Sequence, residues 1–359
     1  MVLSSAALDI LGVLSRQLQT GEVRRVNLTP VTLREPLSSV LTRRARLFTS
    51  LAPEADGSSY TVQFLHMLKP SSRGADSRSI AGTFRAVAVA HDLAILMSGL
   101  SSEAEAYGPG LLARRAYPLA VRPFLRSVEL LRLVAHLAAG RDWTAVSADA
   151  MGYDRHTREF RRDMKHQPVG DAFREMEEQG RQLHRLRVAF RTTEGRVPLD
   201  VTFDRYATAV VHRGDLRLVL AQLVQKAVEQ TRVRARSLLV RRSRKAAHQK
   251  VVRLRFPEGT FSHVDDMDAL CQAVRCGEGV NVTVLHLNPY LHAQVLDYYA
   301  GQALDMLILD DASVSLLPRS ASASVTIQRV VTMVFRYFGE ADVTVETITR
   351  GGNGIGQAF

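Results

Sequence analysis

The period of the apolar residues changes once along this chain, and that change limits the fold more than any other feature. Beyond Gly180, the stretches LHRLRVAF and PLDVTFDRYATAVVH alternate polar and apolar side chains, as half-buried strands do. Gly214–Asp215 opens a long amphipathic helix, LRLVLAQLVQKAVEQ. VVRLRF (251–256), VNVTVLHL (280–287) and LDMLILDD (304–311) read as strands, with DDMDALCQAVRC and SVTIQRVVTMVFRYF as helices among them. Interleaved strands and helices predict a mixed α/β sheet domain over 181–359, with some parallel pairing.

The earlier part of the chain reads differently. Residues 1–20, 80–100 and 124–139 look helical, 141–183 stays helical in character and densely charged, and 21–70 reads as short strands and loops. The expected fold class is therefore α/β: a mainly α-helical N-terminal domain over 1–170, then the α/β domain, with the boundary near 168–182. The chain has 359 residues, 46% of them hydrophobic, enough for two packed cores. Its two cysteines, Cys271 and Cys276, exclude a disulfide framework and read as structural thiols. The segment MVLSSAALDILGVLSRQL carries Asp9 within its apolar stretch and no basic start, so it reads as an amphipathic helix and not as a signal peptide. Ile80–Leu100 contains Arg85, His91 and Asp92 and is expected as a buried helix and not as a membrane span. A cytoplasmic protein without membrane contact is expected.

Charge points to a polyanion. The formal net charge is +11, but residues 1–256 carry 42 basic and 24 acidic side chains, whereas 257–359 carry 5 and 12. Only five of the 47 basic residues are lysine, a bias that a GC-rich bacterial coding sequence also produces. Between Glu229 and Glu258 lie ten basic and no acidic residues: Arg232, Arg234, Arg236, Arg241, Arg242, Arg244, Lys245, Lys250, Arg253 and Arg255. Such an arm suits phosphate contact, and the absence of aromatics between 230 and 255 argues against base stacking along it. A solvated loop, or a surface meeting an acidic partner, is the alternative.

Residues 124–166 resemble bacterial helix-turn-helix regulators in outline. A helix ends at Gly140, a short one covers 142–151 with Ala148 at the crossing, Gly152 makes the turn, and a third begins at Asp154. The third helix would present Arg155, His156, Arg158, Arg161 and Arg162 to bases and phosphates, anchored by Phe160 and Met164. Arg158 departs from the pattern, because that place is usually apolar. An ordinary charged surface helix is the plainer reading.

The stretch 264–317 resembles a half-site of the phospholipase D superfamily. That family carries H-x-K on a strand, an Asp beyond it, and a Gly-Ser-x-Asn turn. Its histidine attacks phosphorus while lysine and turn groups hold the phosphoryl oxygens. His292 matches the nucleophile, but Gln294 stands at the lysine and Tyr299 at the acid, with Asp297 two residues short. Asp310–Asp311–Ala312–Ser313 replaces the turn. The resemblance implies either a phosphodiesterase or nuclease working through His292, or an inactive scaffold. His286, His292, Asp297, Asp310 and Asp311 match no familiar metal spacing, and neither metal nor cofactor is expected. The C-terminal GGNGIGQAF reads as a tail.

The leading expectation is thus a nucleic-acid-binding protein, with DNA as the expected polyanion, in a bacterial regulatory or antiviral-defence setting. The alternatives are the His292 phosphodiesterase and an assembly subunit, either a homo-oligomer or one docked to an acidic protein partner.

Overall fold

The computed structural model describes residues 5–54, 56–68, 78–154, 160–239, 248–287, 290–319 and 323–349. Contacts divide the chain into two units, Met1–Leu239 and Val240–Phe359. The first unit is built on one sheet. Its strands are β1 (Val26–Leu33), β2 (Ser50–Pro53), β3 (Ser59–Leu68), β4 (Arg78–Ala90), β5 (Leu93–Ser98), β6 (Ala120–Val121), β7 (Trp143–Asp154), β8 (Phe160–Asp163), β9 (Gln167–Pro168), β10 (Arg181–Thr192), β11 (Leu199–Asp204) and β12 (Ala209–Arg213). They run in the order β2-β3-β4-β5-β1-β12-β11-β10-β7-β8, with β6 on β1 and β9 on β7.

Helices cover this sheet unevenly. On one face lie α1 (Ser5–Thr20), then, after α2 (Leu37–Arg43), α3 (Ser102–Tyr107) and α4 (Pro109–Arg115) of the opposite face, α5 (Ser127–Ala138) and α6 (Val169–Glu178). The same first face takes α7 (Leu216–Val219), which continues through a π-helical turn, Leu220–Gln225, into α8 (Lys226–Leu238). Leu11, Leu133, Leu137, Leu220 and Leu223 from these helices meet Leu28, Ile95, Leu186, Val188 and Phe203 of the sheet. On the opposite face, α2, α3 and α4 cover only the β3-β4-β5-β1 half, through Val40, Leu41, Leu112 and Phe84.

The second unit has β13 (His248–Arg255), α9 (Val264–Arg275), β14 (Val280–His286), β15 (Leu291–Asp297), β16 (Gln302–Ile308), β17 (Ser313–Pro318), α10 (Ser324–Phe338) and β18 (Asp342–Thr349). The sheet order is β14-β15-β16-β17-β13-β18. Both helices pack on one face, Leu270, Val274, Val330 and Val334 closing over Leu254, Val295, Leu304 and Leu316.

Four expectations are corrected. The N-terminal part is not mainly helical: the structure is 39% strand and 36% helix, and the helices are spread along the chain. Ile80–Leu100 forms β4 and β5 because both faces of those strands are buried, Val87, Ile95 and Met97 on one side and Phe84, Ala86 and Leu96 on the other. A strand buried on both faces reads as an unbroken apolar run, which periodicity cannot distinguish from a buried helix. The strands flanking residues 168–182 belong to one sheet, β10 pairing along β7, and the chain divides after Leu239. Nor is there parallel pairing among the described residues: every ladder is antiparallel. Among the described residues no helix is long and apolar enough to cross a membrane.

A long-range ion cluster ties the ends of the first unit together. Asp92, 7% exposed in the β4–β5 turn, accepts Nε and Nη2 of both Arg232 and Arg236 from α8, at 2.5–3.1 Å. Burial alone would raise the Asp92 carboxyl, but the Arg236 and Arg232 hydrogen bonds outweigh it and hold the pKa below the ordinary carboxylate value. Asp92→Ala leaves both guanidinium groups without their carboxylate and is expected to lower stability at pH 7 by about 2 kcal/mol. Urea denaturation measures it. The difference should persist at neutral pH and shrink as pH falls below the ordinary carboxylate range, where the folded state loses this charge.

Candidate nucleic-acid interface

The expected helix-turn-helix does not form. α5 is its first helix and ends before Gly140, whose φ is +73°. Among the residues expected as the second and third helices, Trp143–Asp154 is β7 and Phe160–Asp163 is β8, paired with each other from Ala150↔Asp163 to Tyr153↔Phe160. Gly152 makes no turn. It lies in β7 where α6 crosses, and a Cβ there would come within 3.0 Å of Met176 Cε. Arg155, His156 and Arg158 lie outside the described residues. Arg161 and Arg162 are in β8, and Arg162 forms a bidentate pair with Asp149 at 2.8 Å.

The basic arm is also largely redistributed. Arg232 and Arg236 serve Asp92, and Arg234 donates to Glu129 at 2.8 Å. Arg241, Arg242, Arg244 and Lys245 lie outside the described residues, and Lys250 sits in β13. Arg253 pairs with Glu346 at 3.1 Å. Arg253 and Arg255 line a cavity together with Glu258, Asp310 and Asp311, so acids offset their charge.

The arginines that converge are others. On the face opposite α5–α8, the β12-β11-β10-β7-β8 half of the first sheet carries Thr202, His212, Asp200, Arg187, Asp149, Arg162 and Phe160, an arrangement set by strand alternation. A bulge in β10 between Leu183 and Arg185 interrupts the alternation, placing Arg185 on this face beside Met151. Arg187 grips Asp200 in a bidentate pair at 2.9 and 2.6 Å, and Arg185 reaches Asp149 at 3.9 Å. The side chains of Arg162, Arg185 and Arg187 remain 54, 40 and 39% exposed, so solvent and solutes reach them.

At the bulge, Arg122 (between β6 and α5) and Arg205 (the β11–β12 turn) approach His184. Arg122 lies over the Tyr206 ring at 3.7 Å, and Arg205 over Phe124 at 5.0 Å. Burial, then the charges of Arg205, Arg122 and Arg185, push the His184 imidazole down to about 3. His184 therefore stays neutral at physiological pH, chiefly because it is buried. Arg122 also faces Arg114 of α4, whose pKa is lowered by burial and then by the like charge of Arg122. Among the described residues, Arg114, Arg122, Arg162, Arg185, Arg187 and Arg205 thus share this region with Asp149, Asp200 and Asp204, six arginines to three aspartates.

Where the covered and uncovered halves meet, Glu105 of α3 accepts Thr29 Oγ1 at 3.1 Å and Ser98 Oγ at 2.6 Å. Burial pushes this carboxyl up to about 7, against the pull of those hydrogen bonds and of Arg25.

In the second unit, His292 Nε2 lies 3.4 Å from Asp305, which accepts two N–H groups of Arg319 at 2.9 and 2.6 Å. Asp297 sits at the other end of the same strand, on the opposite face and roughly 16 Å along it. It is fully buried, holding the N–H groups of Tyr299 and Ala300 and the Arg329 guanidinium. Asp310 caps its own turn through Ala312 and Ser313, and Asp311 accepts from Gly259 N–H. These residues do not converge, and among the described residues no group of three or more His, Cys, Asp or Glu side chains is placed to hold a metal ion. Cys271 is buried in the core, which pushes its thiol up to about 12.

No protein-family model matches the chain, and no curated protein matches it. The sequence reading missed Arg122, Arg185 and Arg205. Their signal was faint: Arg185 lies in the alternating run LHRLRVAF, but Arg122 and Arg205, which act on the same His184, are distant in sequence.

Two titrations follow. His184 C–H resonances are expected to stay constant from pH 5 to 8 in NMR, since its pKa lies well below that range. Glu105 binds its proton more tightly folded than unfolded, so stability should fall as pH rises from about 4.5 through about 7 and then level off. Glu105→Gln should remove that slope and be more stable than wild type at pH 8 by about 3 kcal/mol, read by denaturant titration.

Proposed function

We propose that this protein binds nucleic acid through the half-face of the first unit's sheet centred on the β10 bulge. The observation that carries this is geometric: Arg162, Arg185 and Arg187 stand solvent-exposed on one half-face, beside Arg122 over the Tyr206 ring. Guanidinium groups held at fixed places by a sheet and its turns match a chain of phosphates, and they release its counterions on binding. The excess of positive charge in this region has the same sign as the chain's +11. A helix in the major groove plays no part, and the reading order is that of a sheet surface. Contacts from the arginines of α8 contribute little, because Asp92 and Glu129 already hold them.

Fluorescence anisotropy with labelled DNA and RNA, each single-stranded and duplex, across a salt series tests this. Wild type is expected to bind at least one of these with log Kd rising steeply against log salt. Arg122→Ala and Arg185→Ala should each weaken binding and reduce the salt slope by about one. Arg232→Ala is expected to change stability and not the slope. Unchanged affinity in the Arg122→Ala/Arg185→Ala double variant would overturn the assignment of this face.

A further inference from the structure

The outer edge of an end strand is a row of N–H and C=O groups able to pair with another chain, and folds ordinarily guard it. Among the described residues the two sheets end in β2 and β8 and in β14 and β18. Three of these strands are guarded. β2 has four residues and ends in Pro53, and β8 has four residues, three of them charged. β14 breaks register between Val284 and His286, and its Val282 carbonyl accepts N–H groups from Nε and Nη2 of Arg275 at 3.3 and 3.1 Å.

β18 carries none of these devices. Its eight residues, DVTVETIT, pair with β13 from Arg255↔Asp342 to His248↔Thr349 without a register shift, and they include neither proline nor lysine. Six of the eight are β-branched, the composition that strands favour. Among the described residues no strand pairs with its other side. The side chains from Asp342 to Glu346 are all exposed, Val343 by 50% and Val345 by 58%. These two valines stand opposite Leu254 and Val252, on the face where α9 and α10 pack, and Asp342, Thr344 and Glu346 stand on the other face.

We infer that β18 is a dimer interface, occupied by β18 of a second copy of this chain running antiparallel about a two-fold axis at Val345. Parity and charge set that register. Residues facing each other across an antiparallel pair share one side of the sheet, so the axis passes through a residue and not between two. An axis at Val345 pairs 342–348 and an axis at Glu346 pairs 343–349; every other axis pairs fewer residues. The second of these sets Glu346 against its own copy, two like charges directly opposite. At Val345 no acids face each other: Asp342 meets Ile348, Val343 meets Thr347 and Thr344 meets Glu346. Val345 meets Val345 of the second copy, with a Val343 diagonal to it on either side, so the exposed valines cover one another.

Sedimentation equilibrium of the full chain over a concentration series tests this. Wild type is expected at twice the monomer mass by about 0.1 mM. Thr344→Glu sets an acid against Glu346 at both ends of the pairing and should raise the dimer Kd about tenfold or more. Thr344→Lys sets a base there and should leave the Kd at the wild-type value or below it. Within each copy Thr344 faces Arg253, so the glutamate variant gains an intrachain ion pair and its thermal transition should not fall. Val345→Cys sets two thiols opposite each other at a Cα separation of about 4.5–5.5 Å, within disulfide reach, so mild oxidation should trap a covalent dimer. Val343→Cys should not be trapped, and wild type, with Cys271 buried and Cys276 half-buried, is the control. A monomer at every concentration, a Kd unmoved by Thr344→Glu, or equal cross-linking of the two cysteine variants would overturn the interface.

Discussion

Twelve strands present more surface than the first unit's helices can cover, and this mismatch governs the rest of its structure. One face is closed along its length by α1, α5, α6 and the α7–α8 helix. On the other, α2, α3 and α4 seal only the strands from β3 to β1. Among the described residues no helix of this unit covers the other half of that face, which carries polar side chains that satisfy one another across the strands. Arg187–Asp200 and Arg162–Asp149 do so with bidentate geometry. The boundary is held by Glu105, whose carboxyl sits between Thr29 and Ser98 beneath α3.

The bulge in β10 decides which side chains this polar surface carries. Regular alternation would send Arg185 toward the apolar core; one extra residue puts it on the polar face instead, beside turns that bring in Arg122 and Arg205. Placing so many guanidinium groups together costs electrostatic energy; His184 among them is depressed by burial first and then by the charges of Arg205, Arg122 and Arg185. A polyanionic ligand, as proposed above, would offset that charge.

Part of this architecture was legible in the residues. The alternation in 183–190 and 198–212 corresponds to β10, β11 and β12, and the helix opened by Asp215 begins where expected, its carboxylate accepting from Arg217 and Leu218 N–H. The strands and helices expected beyond residue 250 are β13, β14, β16, α9 and α10. Legibility failed where local pattern was ambiguous. Ile80–Leu100 is apolar on both faces, so its two strands looked like one helix. Residues 143–154 carried Gly152 and charged neighbours that resembled a helix turn, although the glycine serves a close approach of α6. The candidate site suffered more, because Arg232, Arg234 and Arg236 looked like an uncompensated run while their partners Asp92 and Glu129 lie more than a hundred residues earlier.

The sequence by itself determined the one-face-buried strands β10 to β12, the helices near α5, α7, α9 and α10, and that basic charge would predominate before residue 257. Those properties depend on side-chain period, backbone freedom and composition, all of which are local or additive. Which arginines stay available, which are consumed by buried carboxylates, and which face Arg185 occupies were decided only by tertiary structure. The reason is physical: a charge is neutralised by whatever the fold brings within a few ångströms, and a single bulge reverses the face on which a strand residue stands.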